Sequence, residues 1–235
     1  MHYDKAYVIG FEGKKSERLI RFFDSCKMAG VNAELFPAVN GSKIVTEEWK
    51  VGNYLSDDFE LRMPGSLGCL LSHVTLWEQV SNDETVDIAL ICEDDALLDN
   101  EFLKKLKNIP WNDVPEDWDV IRLACHKVTG DSISEYLVKP YTKYIKGANA
   151  GTYCYLMKSD SVEKLKSVLI PYSNKQSMDV MLKKRSDQYH LYVLKESLAH
   201  EQRFRYSVRK DMNLSHKEGN WLKKLLVVIS GKWFR

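Results

Sequence analysis

The chain has 235 residues, 44% of them hydrophobic and 29% charged, a composition typical of one large globular domain or two small ones. Its 34 basic and 33 acidic side chains leave a net charge of +1, which gives no general case for a nucleic-acid partner. The five cysteines contain no Cys-X-X-Cys pair, so they argue against a zinc site and indicate a reducing compartment. No basic, apolar leader opens the chain, and no stretch approaches the ~20 apolar residues of a membrane span.

The N-terminal region predicts a strand, a helix and a second strand. The strands are predicted at residues 6–9 and 34–36, where β-branched, aromatic and other apolar residues cluster. Between them, apolar residues recur at helical spacing from Lys14 to Ala29, and Gly30 stands at the C-cap position. This order is the opening of an α/β nucleotide-binding sheet.

Helices and strands continue to alternate up to about residue 200. The strongest predicted helix is Ser66–Val80, which has one continuous apolar stripe. Ser159 is a candidate N-cap for another helix, with Glu163 near the capping-box position. The remaining elements are predicted as a loop with a short helix at 40–64, strands at 88–92, 118–123, 152–157 and 191–194, helices at 100–106, 159–169 and 178–184, and a hairpin within 126–150.

The acidic triplet Glu93-Asp94-Asp95 follows the apolar run 88–92, which predicts a buried strand. Three adjacent carboxylates repel one another, and a divalent cation is the simplest means of stabilising them. Oxygen ligands at a strand end suit Mg²⁺ or Mn²⁺ with a phosphate as co-ligand. A nucleotide-handling enzyme is therefore the first hypothesis, and a solvated loop is the alternative.

The C-terminal segment is basic and amphipathic. Residues 202–235 hold nine basic and two acidic side chains. Within 220–235, apolar residues share one helical face and lysines lie off it. This pattern predicts a helix that contacts an anionic membrane surface, and the alternative is that the same face docks on the domain.

Four stretches together resemble glycosyltransferase family 25, the bacterial lipooligosaccharide galactosyltransferases and their relatives. They are the N-terminal strand and helix with Ala38-Val39-Asn40-Gly41, then Gly65-Ser66-Leu67-Gly68-Cys69-Leu70-Leu71-Ser72-His73, then Leu90-Ile91-Cys92-Glu93-Asp94-Asp95, and finally Gly151-Thr152-Tyr153-Cys154-Tyr155-Leu156 followed by Asp179. They occur in family order, and the Gly-Cys to Ser-His block ahead of the acidic block is the specific part.

The resemblance implies an α/β, GT-A-like fold, with a mixed, mostly parallel sheet flanked by helices, over residues 1–205. Residues 206–235 would form the basic amphipathic tail. It also implies a UDP-galactose or UDP-glucose donor and inversion at the anomeric carbon. The expected acceptor is a lipid-linked oligosaccharide, and the expected location is the cytoplasmic side of a bacterial inner membrane, with the protein bound peripherally.

In such a site, Asp95 is the best predicted metal ligand, Asp94 a second candidate, and Glu93 a contact to ribose or to a metal-bound water. His200 is a candidate to complete the shell of Mn²⁺ or Mg²⁺, and a surface histidine is the favoured alternative. Asp179 is the predicted general base, weighed against a helix N-terminal Asp favoured by the dipole.

The other candidate residues are weaker. Ser72 and His73 are predicted to line the donor pocket, or, for His73, to pack within the helix. The segment with Asn149, Gly151 and Thr152 would let the backbone approach a ligand closely. Among the remaining polar residues, Asp119 is expected to be structural, and Lys15 and Arg18 are expected to lie on a solvated helix face rather than at the diphosphate.

The sequence thus predicts an inverting, metal-dependent transferase that moves a hexose, preferably galactose, from a UDP-sugar to a lipooligosaccharide or other surface glycan. A metal-dependent phosphohydrolase and a non-catalytic nucleotide-sugar-binding module are the alternatives. A phosphohydrolase would need further metal ligands at other strand ends, for which Asp119 is the only good candidate.

Overall fold

The computed structural model describes residues 2–11, 17–142, 148–149 and 151–202. Within them lie ten strands and six α-helices. The strands are β1 (Lys5–Gly10), β2 (Ala33–Pro37), β3 (Ile88–Glu93), β4 (Ala96–Leu98), β5 (Val120–Arg122), β6 (Gly130–Ser132), β7 (Leu137–Pro140), β8 (Cys154–Lys158), β9 (Leu191–Leu194) and β10 (Ala199–Glu201). The helices are α1 (Glu17–Ala29), α2 (Thr46–Val51), α3 (Pro64–Ser81), α4 (Phe102–Asn108), α5 (Val162–Leu169) and α6 (Met178–Lys184).

Eight of these strands form one mixed sheet in the order β2-β1-β3-β8-β5-β9-β7-β6. Strands β1, β2 and β3 are parallel, and so are β5 and β9, whereas β8 runs antiparallel to both β3 and β5. Six of the eight strands therefore point the same way, and only β7 and β8 are reversed. This confirms the mixed, mostly parallel sheet that the sequence predicted.

Helices cover both faces of the sheet. Because successive side chains of a strand point to opposite faces, Leu90 and Cys92 pack with helices α1 and α4, whereas Ala89 and Ile91 pack with α3, α5 and α6. Both faces of the central strands are buried, which explains why β3 is a continuous apolar run rather than an alternating one.

Most predicted elements are found, including the short helix α2 and the β6–β7 hairpin. Gly30 ends α1 with φ +73°, as a C-cap glycine does. The predicted N-cap is wrong, since Ser159 begins a 3-10 turn and the helix proper starts at Val162. The sequence also missed the antiparallel pair β4–β10, whose strands have only three residues each.

In the part of the chain that the structure describes, no helix has the length and apolar character needed to cross a bilayer. The predicted amphipathic helix at 220–235 lies outside the described residues, as do the predicted domain boundary at 205 and Lys15.

Candidate active site

The acidic triplet lies at the carboxyl edge of the sheet, where β1 and β3 end together and the antiparallel β8 begins. Two backbone bonds fix the turn, from Asp94 N to Ile9 O (3.1 Å) and from Glu93 N to Tyr153 O (3.0 Å). Glu93 is the last residue of β3, and the alternation of side chains directs it to the α3 face. Asp94 and Asp95 follow in the turn, so the triplet is divided between two environments.

Asp94 and Asp95 meet the guanidinium of Arg18 from α1. Arg18 Nη2 lies 3.0 Å from Asp94 Oδ1 and 2.5 Å from Asp95 Oδ2, and the side chains of both acids are under one-fifth exposed. Burial, only partly offset by Arg18 and reinforced by repulsion from Glu93, raises the pKa of Asp94 to about 6. Burial, together with the charges of Glu93 and the other nearby acids, also holds the pKa of Asp95 well above its usual range.

This pair of carboxylates fits a divalent cation. Oδ1 of Asp95 is buried and has no hydrogen-bond partner in the described structure. A buried carboxylate oxygen without a partner is costly, and the single charge of Arg18 leaves the pair under-neutralised. Asp94 and Asp95 are hard-oxygen ligands that could hold Mg²⁺ or Mn²⁺ there.

Glu93 is joined to α3 and to the segment before β8. Its Oε1 accepts a hydrogen bond of 2.5 Å from Thr152 Oγ1 and lies 3.4 Å from Nε2 of the fully buried His73. The other ring nitrogen of His73 lies 2.7 Å from Tyr155 Oη, which also accepts a bond of 2.8 Å from Trp77 Nε1. Three predicted substrate contacts, His73, Glu93 and Thr152, are thus brought together.

Ser72 has a structural partner instead. Its hydroxyl accepts a bond of 2.8 Å from Val39 N and donates one of 2.6 Å to Gly68 O. The Val39 loop approaches α3 so closely that a Cβ on Gly68 would lie 2.5 Å from Val39 O. Ser72 therefore fastens the loop after β2 to α3, and the geometry gives its hydroxyl no role at the donor.

The segment before β8 is held from two sides. Arg122 donates to the carbonyl of Asn149, and Lys183 Nζ donates to the carbonyl of Ala148 over 2.6 Å. The Asn149 side chain is bonded to the backbone of Thr129: its Oδ1 accepts from Thr129 N, and its Nδ2 donates to Thr129 O. Gly151 adopts φ +103°, a conformation that side chains rarely tolerate. Thr152 is the member of this segment whose side chain reaches Glu93.

Asp179 lies in the first turn of α6 and accepts a bond of 2.5 Å from Ser177 Oγ. Lys183, one turn later, has a pKa lowered by its burial and by Arg122, and the Asp179 charge partly opposes that shift. The carboxylate is half-buried and lies within electrostatic range of Tyr172. Asp179 therefore lies where the helix dipole favours a carboxylate, and it is also partly exposed, as a general base must be.

The structure does not bring His200 to the acidic turn. His200 is exposed, pairs with Leu97 across β4–β10, and acts electrostatically on Asp99. Its neighbour Glu201 pairs with Ala96 across the same two strands and forms an ion pair of 2.9 Å with His126. The described geometry gives no support to His200 as a metal ligand.

Asp119 stands at the opposite, amino end of β5. It accepts hydrogen bonds from Ser161 Oγ (2.8 Å), His190 N (2.7 Å) and Lys164 Nζ (2.8 Å). Burial alone would raise the pKa of this carboxyl, but these donors outweigh burial and lower it. The expected structural role of Asp119 fits this arrangement.

Sequence reasoning missed three residues that shape the site. Arg18 was expected on a solvated helix face, but it meets the acidic turn and its side chain is only 23% exposed. Arg122 and Tyr155 lie inside strands β5 and β8, where apolar side chains are the rule. A buried arginine in a central strand needs a partner, and that is the signal that could have identified Arg122.

The family model of glycosyltransferase family 25, described as an LPS biosynthesis protein, matches residues 3–182. The chain belongs to glycosyltransferase family 25. The stretch matched includes the α3 block, the acidic triplet and Asp179, and the predicted enzyme class, a glycosyltransferase, is that of the family.

Curated relatives include a glycosyltransferase 25 family member of Aedes aegypti, 27% identical over 68% of this chain and 27% of the relative. The human procollagen galactosyltransferase 2 is 27% identical over 53% of this chain and 21% of its own. The chain thus spans about a quarter of the length of these relatives. Among solved structures, a Drosophila β-1,4-galactosyltransferase 7 in complex with manganese, UDP-Gal and xylobiose has a TM-score of 0.41 and 10% identity, over 89% of this chain and 79% of that one.

Proposed function

We propose that the chain is an inverting, metal-dependent glycosyltransferase that moves a hexose, preferably galactose, from a UDP-sugar to a surface glycan such as lipooligosaccharide. The observation that carries the proposal is the partly buried pair Asp94 and Asp95, held by Arg18 at the carboxyl end of β3 in a family 25 domain. Ligands of open α/β sheets bind outside the carboxyl ends of the strands, which is where this pair lies.

Asp94 and Asp95 would hold Mn²⁺ or Mg²⁺, which, when bound, neutralises the charge of the departing diphosphate. Arg18 contributes a further positive charge on the same side of the turn. Glu93 has its carboxylate fixed by Thr152, so it is oriented before a donor arrives. The cation and Arg18 would supply positive charge where the leaving diphosphate develops negative charge, which is the main requirement of glycosyl transfer from a nucleotide.

Inversion requires a base on the acceptor side. Asp179 is the proposed base, and it would take the proton of the acceptor hydroxyl as the new glycosidic bond forms. Its position supports this role, because α6 also carries Lys183, which fastens the Ala148 carbonyl beside the β8 entry segment. The carboxylate is half-buried and therefore open to an acceptor.

The lipid-linked acceptor and the place of work belong to the same proposal. Both rest on the basic amphipathic pattern of residues 220–235, which suits an anionic bilayer surface on the cytoplasmic side. Replacing Lys223, Lys224 and Lys232 by Gln should weaken binding to anionic vesicles and leave transfer to a soluble acceptor unchanged. Equal vesicle binding by this variant would remove the membrane part of the proposal.

Donor profiling tests the reaction itself. The purified chain would be incubated with a panel of UDP-sugars, with Mn²⁺ or EDTA, and with glycan acceptors, and the products would be followed by mass spectrometry. The expected result is a β-linked hexose product from UDP-galactose that disappears in EDTA. Release of phosphate from the donor without transfer would favour the phosphohydrolase alternative, and donor binding without any turnover would favour the non-catalytic module.

A further inference from the structure

A mixed cluster of metal-ligating side chains lies beside the acidic turn on the α3 face. Cys69 and His73 are four residues apart on α3, so they project from the same face of the helix. With Glu93 at the end of β3 they form a group whose ligand atoms all lie within 4.8 Å of one another. Sγ, Nε2 and a carboxylate oxygen therefore converge on one point between α3 and β3.

His73 supplies the decisive observation. Its side chain is completely buried, and its Nε2, which faces Glu93, has no hydrogen-bond partner in the described structure. The other ring nitrogen is held by Tyr155 Oη at 2.7 Å. Metal-ligating histidines have this arrangement, with one nitrogen fixed by a neighbouring polar group and the other directed at the ion.

The chemistry of the donor set differs from that of Asp94 and Asp95. A thiolate and an imidazole are softer ligands than carboxylates, and they select Zn²⁺ over Mg²⁺ or Mn²⁺. Three protein ligands with a fourth position left open are the common arrangement of a non-structural zinc site. Cys69 and Glu93 are only partly buried, which leaves a path for the ion and for water.

We propose that Cys69, His73 and Glu93 form a second cation site, selective for a thiophilic divalent ion such as Zn²⁺ and separate from the Asp94–Asp95 site. The ion would connect the first half of α3 to the end of β3, the strand that positions the acidic turn. Counting cysteine pairs in the sequence could not find this site, because its ligands are a Cys-X-X-X-His pair and a glutamate from a distant strand.

Cobalt titration of the full chain tests the site. Co²⁺ is a spectroscopic substitute for Zn²⁺, and a thiolate ligand gives it a sulfur-to-metal charge-transfer band. After treatment with a chelator and a reductant, the wild type should take up one equivalent of Co²⁺ with this band, and Zn²⁺ should remove the band by displacement. Asp95→Asn should retain the band, because that carboxylate belongs to the other site.

Cys69→Ala should lose the band, and its affinity for Co²⁺ at this site should fall by more than about 100-fold. Mutating a residue that only hydrogen-bonds to a metal ligand already lowers metal affinity by about 10- to 100-fold. Cys26→Ala is the matched control, a second helical cysteine outside the cluster, and should retain the band. Circular dichroism would verify that both variants fold, and Cys69→Ser provides a second replacement. A wild type that binds Co²⁺ without the band, or a band that persists in Cys69→Ala, would overturn the proposal.

Discussion

Two carboxylate sites, one buried and one partly buried, lie at opposite ends of the sheet, and the pKa values of their carboxyl groups shift in opposite directions. At the amino end of β5, Asp119 is surrounded by three donors, and its pKa is lowered. At the carboxyl end of β3, Asp94 and Asp95 share one arginine, repel each other and Glu93, and have raised pKa values. Burial raises the pKa at both sites, and only at Asp119 do the hydrogen-bond donors outweigh it.

Asp119 is a carboxylate that stabilises the fold, whereas Asp94 and Asp95 have the electrostatics of carboxylates that bind a ligand. Asp119 joins the 3-10 turn before α5 and the start of β9, and its hydrogen bonds are complete within the protein. The Asp94–Asp95 pair is incomplete, since a buried oxygen of Asp95 lacks a partner. Incomplete electrostatics in a buried site are typical of functional positions, because the missing partner is the ligand.

The largest expected effect is on catalysis at the incomplete site. Asp95→Asn should reduce kcat/KM for transfer by about 10³-fold, roughly 4 kcal/mol, because the amide cannot neutralise the cation. Its thermal stability at neutral pH should be unchanged or higher, since a buried charge is removed. Activity within about tenfold of wild type would show that Asp95 holds no essential cation.

At Asp119 we expect a loss of stability without a loss of catalysis. Asp119→Asn should lower the free energy of unfolding by about 2–3 kcal/mol, because the buried hydrogen bonds around it lose their charged acceptor. The kcat/KM of the folded fraction should not change. Lys164→Met is the matched control and should cost less, since that lysine is 45% exposed and water can replace the pair. A catalytic loss in Asp119→Asn with normal stability would contradict the comparison.

The pH dependence of stability should also differ between the two sites. A raised folded-state pKa favours the protonated form, so Asp94 contributes stability below about pH 4 that is lost as pH rises to about 6. In EDTA, the difference in free energy of unfolding between Asp94→Asn/Asp95→Asn and the wild type, measured by urea unfolding, should therefore shift by about 2 kcal/mol in favour of the variant between pH 4 and 7. The contribution of Asp119 has the opposite sign and is lost as the pH falls through its lowered pKa. A constant difference between variant and wild type would be inconsistent with the raised pKa values.

The smallest effect is expected at Arg18. Because its guanidinium occupies the side of the carboxylates that faces α1, Arg18→Gln should strengthen Mn²⁺ binding about fivefold, or ~1 kcal/mol, by removing a like charge. Arg21→Gln, which alters an exposed i,i+4 pair with Glu17 on the same helix, is the control and should have no effect. Unchanged or weaker Mn²⁺ binding by Arg18→Gln would mean that Arg18 does not compete with the cation.

Much of the fold could be predicted from local sequence. The apolar run of β3 and the apolar residues of α3 could be recognised directly, because burial of these two elements selects apolar residues along them. Strands β4 and β10 could not be found this way, because each has three residues and is defined by a partner about 100 positions away in the chain.

The candidate site was predicted as a set of residues but not as a geometry. The position of the triplet at the end of β3 follows from the sequence. The separation of Glu93 from Asp94 and Asp95 does not follow from the sequence. It arises because the end of β3 directs Glu93 to His73, whereas α1 brings Arg18 to the turn. Ser72 and Asn149 were predicted to contact the substrate, yet their side chains are hydrogen-bonded to backbone groups, which only tertiary contacts reveal.

A Mn²⁺ titration in the presence of UDP, followed by electron paramagnetic resonance, tests directly whether Asp94 and Asp95 hold the metal–diphosphate site. The wild type should bind one Mn²⁺ together with UDP, Asp119→Asn should do the same, and Asp94→Asn/Asp95→Asn should not. Wild-type affinity for the Mn²⁺–UDP pair in the double variant would contradict the assignment of the metal–diphosphate site to the carboxyl end of β3.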